Sequence, residues 1–137
     1  MSIAKTKSEY MLLFRGNDWH KGLSAEEIER VSNEWMGWFK GLGAEGKVIA
    51  GSPLEAEVRI VSGKNGSVVA DGPFAESKEA IGGYFLLRVN SFEEAVAVAK
   101  QCPGLPYGAR IEVRQVAEQC PLLKESAREP ELAQVGA

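Results

Sequence analysis

The side chains best suited to acid–base chemistry crowd into one short run of this 137-residue chain, Asp71-Gly72-Pro73-Phe74-Ala75-Glu76-Ser77-Lys78-Glu79. Carboxylates that share a partly dry cleft push one another's pKa apart, so Asp71, Glu76 and Glu79 could supply a general acid and base, with Asp71 the foremost proton acceptor. Glu76 and Lys78 could also hold a polar ligand. Turn chemistry explains the same residues without any ligand. Gly72 supplies torsional freedom, Pro73 fixes its own φ, and Asp71 accepts backbone N–H bonds from the residues that follow. On that reading Phe74 anchors the turn in the core while Glu76, Lys78 and Glu79 form a solvated edge. The sequence leaves both readings open.

Further candidates lie at strand ends. His20 is the one histidine, in the loop after the first expected strand, and imidazole is the side chain best suited to proton transfer near neutral pH. The bland alternative is a plain surface residue. Arg15 and Arg88 end the first and third expected core strands. If those strands are adjacent and parallel, the two guanidiniums converge at a cavity mouth and suit a carboxylate or phosphate on a small anionic ligand. Otherwise they are separate surface arginines paired with acidic neighbours.

Composition narrows the function classes. A net charge of −3, with Lys and Arg scattered, gives no electrostatic footprint for direct nucleic-acid binding. No apolar run approaches the roughly 20 residues of a membrane helix, so no membrane partner is expected. The N-terminal Lys5 and Lys7 precede no apolar segment of a secretory signal, and a cytoplasmic location is expected. Cys102 and Cys120 lie far apart, each just before a proline, and read as small, partly buried thiols rather than metal ligands or nucleophiles. No metal or other cofactor is expected, and no nucleotide loop, because Gly41, Gly43 and Gly46 end a helix rather than open one.

The elements that must position these residues follow from periodicity and caps. Tyr10 to Arg15 reads as a strand. Ser24-Ala25-Glu26-Glu27 is a capping box with Leu23 and Ile28 as a hydrophobic staple, and Ile28, Val31, Trp35, Trp38 or Phe39, and Leu42 form the apolar face of the helix that follows. Its tryptophans read as core. A strand begins at Val48. Glu55 to Val61 and Ser67 to Ala70 flank Gly63-Lys64-Asn65-Gly66, a strong hairpin signal leading into the Asp71 turn. Tyr84 to Val89 is the next strand. Ser91-Phe92-Glu93-Glu94 is a second capping box, Pro103 stops the second helix, and Ile111 to Val116 is the last strand.

That order, β-α-β-β-α-β with an inserted β-hairpin, predicts an α+β ferredoxin-like sandwich with two helices on one sheet face. Tyr10, Leu12 and Phe14 alternate with Met11 and Leu13, and Tyr84 and Leu86 alternate with Phe85, Leu87 and Val89. Both faces of the sheet are therefore apolar, and the uncovered one predicts a homodimer. Residues 8–117 read as one domain and 118–137, polar and interrupted by Pro121 and Pro130, as a mobile tail or short docking helix.

The order DGPFAESKEAIGGYFLL, with Tyr10-Met11-Leu12-Leu13 before it and Ile111-Glu112-Val113-Arg114 after it, resembles the signature of the DGPF branch of the YciI-related (YCII-related) proteins. The resemblance implies a dimeric α+β barrel in which a second subunit covers the open sheet face. Relatives are thought to use a histidine, within the first helix, together with an aspartate. The helix here contains no histidine between Ala25 and Leu42, so that dyad does not carry over. Three readings follow: a small-molecule-handling protein, cofactor-independent enzyme or binder, with an anionic ligand in the barrel cavity; an accessory or regulatory protein associated with ECF-type sigma factors and transcription initiation; or a non-catalytic structural dimer.

Overall fold

The computed structural model describes residues 7–16, 19–72 and 80–122. Its elements run β1 (Ser8–Arg15), α1 (Ala25–Ala44), β2 (Val48–Pro53), β3 (Arg59–Ser62), β4 (Val68–Asp71), β5 (Ile81–Val89), α2 (Phe92–Ala99) and β6 (Arg110–Gln115). Four strands form one antiparallel sheet in the order β2-β5-β1-β6, and β3 and β4 pair separately. This is the expected α+β ferredoxin-like arrangement with an inserted hairpin.

Local chemistry explains where the helices start and stop. The Ser24 hydroxyl accepts from the Glu27 N–H at 3.1 Å, and the Glu27 carboxylate accepts from the Ser24 N–H at 2.9 Å, a complete capping box. Beyond Ala44 the chain turns left-handed at Gly46, φ 73°, and the Lys47 N–H reaches the Leu42 carbonyl while the Gly46 N–H reaches that of Gly43. This Schellman motif needs the glycine, because a β-carbon is strained at that φ. The second cap differs from expectation. Ser91 accepts from the Glu94 N–H, but the Glu94 carboxylate takes the N–H of Asn90, one residue further back, and also lies 3.7 Å from the Lys47 ammonium.

The core forms where the helices cover the sheet. Alternation sends Tyr10, Leu12 and Phe14 of β1 and Phe85, Leu87 and Val89 of β5 towards them, joined by Val31 and Leu42 of α1 and by Ala95, Val98 and Ala99 of α2. Each fully buried aliphatic side chain contributes about 1.5–3 kcal/mol of transfer free energy. Opposite them, Met11, Leu13, Tyr84 and Leu86 share the outer sheet face, half-buried.

One expectation about this sheet is overturned. Arg15 and Arg88 do not converge, because β1 and β5 are antiparallel: Arg15 pairs with Ile81 and Arg88 with Glu9. The crossover through α1 leaves a gap between β1 and β2, and β5 fills it running opposite to both. The two arginines are thus about 20 Å apart along the ladder at ~3.3 Å per residue. The hairpin is also shorter than expected, since residues 55–58 precede β3 rather than extend it, and a tight 3-10 turn at Lys64–Gly66 with Asn65 at φ 59° joins its strands.

Leu87, fully buried, and Ser24, an exposed cap, separate the forces at work. In urea melts, Leu87→Ala is expected to cost about 2–5 kcal/mol. Ser24→Ala is expected to cost about 1 kcal/mol.

Candidate functional site

Between α1 and the sheet, near the end of β1 and the start of β5, lies a cavity of about 340 Å³. Trp35, Met36 and Phe39 of α1 form its roof, and Phe14, Phe85, Gly51 and Gly83 its floor. Trp19, Arg15, Ser32 and Ser52 also line it. The helical residues share one side of α1 because they recur at three- and four-residue intervals.

An aromatic cluster frames this space. Phe14 meets Trp35 edge-on at 5.1 Å and Phe85 at 4.9 Å; Phe39 lies 4.9 Å from Phe85, and Trp19 lies 5.9 Å from Trp35. Edge-to-face pairs of this kind contribute about 0.5–1.5 kcal/mol beyond area burial. Glycines allow the rings to lie so close. A β-carbon on Gly51 would stand 2.8 Å from ring carbons of both Phe39 and Phe85, and one on Gly83 would stand 3.0 Å from the Ser52 carbonyl oxygen. At the far end of Trp35, a β-carbon on Gly104 would stand 2.6 Å from the indole.

Arg15 is the one charged residue among the described residues lining the space. Its Nε donates to the Glu112 carboxylate at 2.6 Å, and Arg114 donates to the other oxygen at 3.0 Å. These two hydrogen bonds, that from Arg15 foremost, hold the Glu112 carboxyl below its ordinary value of 4.5.

The other expected site residues are dispersed. His20 is exposed, one residue from the cavity, with its ring 5.6 Å from that of Trp19. Arg88 pairs with Glu9 at 3.1 Å at the opposite end of the sheet. Asp71 ends the hairpin, its side chain 90% exposed and 3.5 Å from Arg59, and it is not part of the cavity wall. Glu76, Lys78, Glu79 and the proposed anchor Phe74 lie outside the described residues. Cys102 is buried, and burial pushes its thiol up to about 11, so it stays protonated near neutrality; Cys120 is exposed, unlike the expectation for it. Among the described residues, no group of three or more His, Cys, Asp or Glu could hold a metal ion, and no helix is long and apolar enough to cross a membrane.

Sequence reasoning assigned Trp35 to the core and missed the cavity beside it. The available signal was glycine inside strands, at Gly51 and at Gly82-Gly83, which marks close approach of another group to the backbone. Gly51→Ala is expected to lose about 1–3 kcal/mol in a chemical melt, because Phe39 or Phe85 must move. Gly37, in α1 with nothing near its missing β-carbon, gives the opposite sign, and Gly37→Ala is expected to gain about 0.5–1 kcal/mol.

Comparison with known proteins found a similar solved structure and a matching family model. A 5-chloro-2-hydroxyhydroquinone dehydrochlorinase from Burkholderia phenoliruptrix, solved in complex with 2,5-dihydroxybenzoquinone, superposes with a TM-score of 0.47 at 12% identity, over 81% of this chain and 95% of that one. No curated protein matches the sequence. The family model of the YCII-related domain matches residues 8–119, most of the chain, and the protein belongs to that family.

Proposed function

We propose that this protein handles a small, planar, aromatic acid, held in the cavity between α1 and the sheet, and works as a homodimer through the outer sheet face. The observation that carries the reading is an aromatic enclosure with one charged residue, Arg15, among the described residues that line it. At about 340 Å³ the space lies at the small end of ligand pockets, which suits a ligand of one or two rings. Phe14, Trp35, Phe39 and Phe85 offer faces and edges to such a ring. Arg15 offers charge to its carboxylate or phenolate.

The anionic site expected from two arginines is thereby reduced to one. Arg88 stands at the other end of the sheet, and Asp71 pairs with Arg59 away from the cavity wall. If the ligand is chemically transformed, His20 beside Trp19 is the side chain in this reading that exchanges a proton. A purely structural dimer would fill its interior, and the cavity speaks against that. No described feature favours the sigma-factor accessory reading.

The outer face supports the homodimer reading: there Met11, Leu13, Tyr84 and Leu86 form an apolar centre edged by the ion pairs Glu9–Arg88 and Glu112–Arg114. An apolar core with a polar rim is the anatomy of an interface.

Thermal-shift titration with benzoate, salicylate and indole-3-acetate, against acetate as the ringless control, tests the ligand class. The aromatic acids are expected to raise the melting temperature by mass action, and acetate is not. Arg15→Gln should abolish the shift while leaving the unliganded melt within about 1 kcal/mol, as expected for a partly exposed ion pair. Equal binding by Arg15→Gln, or shifts with acetate alone, would overturn the reading.

A further inference from the structure

The hairpin β3–β4 is the part of the molecule that the other described residues leave unaccounted for. Every residue of both strands is exposed, yet the composition is that of a buried strand: Ile60 is 47% exposed, Val61 63%, Val68 49% and Val69 63%. The register places Val61 against Val69 on one face and Ile60 against Ala70 on the other. The ribbon is therefore apolar on both sides, and turning it over would expose as much as it hid. Among the described residues it makes no substantial contact with either helix or with the four-stranded sheet. A lone hairpin with four-residue strands is at best marginally stable in water. Ordering its backbone costs about 1–2 kcal/mol per residue, which solvent-facing valines do not offset.

We propose that this hairpin is an arm that packs against a second copy of the chain; the inference rests on the homodimer reading and adds a second contact to it. Three observations select another copy as the occupant. First, the arm leaves from the end of β2, an edge strand of the sheet whose outer face is the proposed interface, so arm and face are continuous. Second, the charges match by being already satisfied. At the arm's base Arg59 pairs with Glu57 at 2.6 Å and with Asp71 at 3.5 Å, and at the sheet's rim Arg88 pairs with Glu9 and Arg114 with Glu112. These residues would enter the contact already paired, which spares the cost of burying each as a lone charge. Third, the areas suit a twofold pair. The exposed apolar surface of one arm is on the order of 400 Å², the size at which a patch on a monomer marks an interaction site. Two arms and two sheet faces together come within the roughly 1,200–2,000 Å² of a stable interface, and an isologous dimer uses each patch twice.

The test is the double variant Val61→Lys/Val69→Lys, beside Leu86→Lys on the sheet face and the wild-type chain. Val61 and Val69 face solvent, so the variant keeps the fold, which circular dichroism verifies. Wild type is expected to sediment as two chains at micromolar concentration, with arm amides protected from hydrogen exchange. The arm variant is expected to dissociate about 30-fold more readily or worse, as for the loss of a hot spot of about 2 kcal/mol, and to lose that protection. An arm variant that dimerises like wild type, while Leu86→Lys dissociates, overturns the arm and leaves the sheet-face dimer standing. A monomeric wild type overturns both. Arm amides that exchange freely in a wild-type dimer also overturn the arm.

Discussion

Because β1 and β5 pair antiparallel, Phe14 lies opposite Gly83 and Leu12 opposite Phe85, and most of the molecule's organisation descends from that register. A one-residue slip would turn Tyr10, Leu12 and Phe14 to the outer face and bring Met11 and Leu13 inside. The glycine opposite Phe14 sets no side chain directly beside the ring on the β5 side, so the ring can meet Trp35 and the diagonal Phe85 edge-on. The space those rings enclose is the cavity. It exists because the sheet is thin at Gly51 and Gly83 and the helix above it is thick with aromatics.

The same register decides the fate of the charges. Strands that run oppositely carry their C-terminal residues to opposite ends of a sheet, so Arg15 reaches the cavity and Arg88 does not. Arg15 is then held by Glu112 from the neighbouring strand β6. Partly exposed pairs of this kind contribute little to stability, and their use is positional. The carboxylate fixes where the guanidinium stands, and hydrogen bonds from Arg15 and then Arg114 lower its pKa.

Stability and function separate along the chain. Caps, the Schellman turn and the buried aliphatics of β1, β5 and α2 hold the sandwich together. The aromatic cavity and the exposed hairpin lie where that economy is broken: one leaves space inside, the other leaves apolar surface outside. Departures of this kind from consistent packing concentrate at functional sites.

Much of the fold was legible in the residues themselves. Ser24 with Glu27 and Gly46 with its positive φ delimit α1 by chemistry confined to a few neighbouring residues, and the period-two pattern of Tyr10 to Phe14 names the buried face of β1. Asn65 and Gly66 likewise turn the hairpin, because left-handed φ is least costly for those residue types. The site was not legible in the same way. Which strand neighbours which, and in what direction, is settled by non-local pairing, and this separated Arg15 from Arg88 and set Asp71 apart from the cavity wall. Trp35 shows the limit most clearly: helical spacing fixes the face it occupies, but whether an atom or a space lies beyond the ring depends on glycines of strands distant in sequence. Sequence alone thus determined the elements and their apolar faces, since those depend on near neighbours. Only the tertiary structure decided the cavity and the separation of Arg15 from Arg88, since both depend on residues brought together across the sheet.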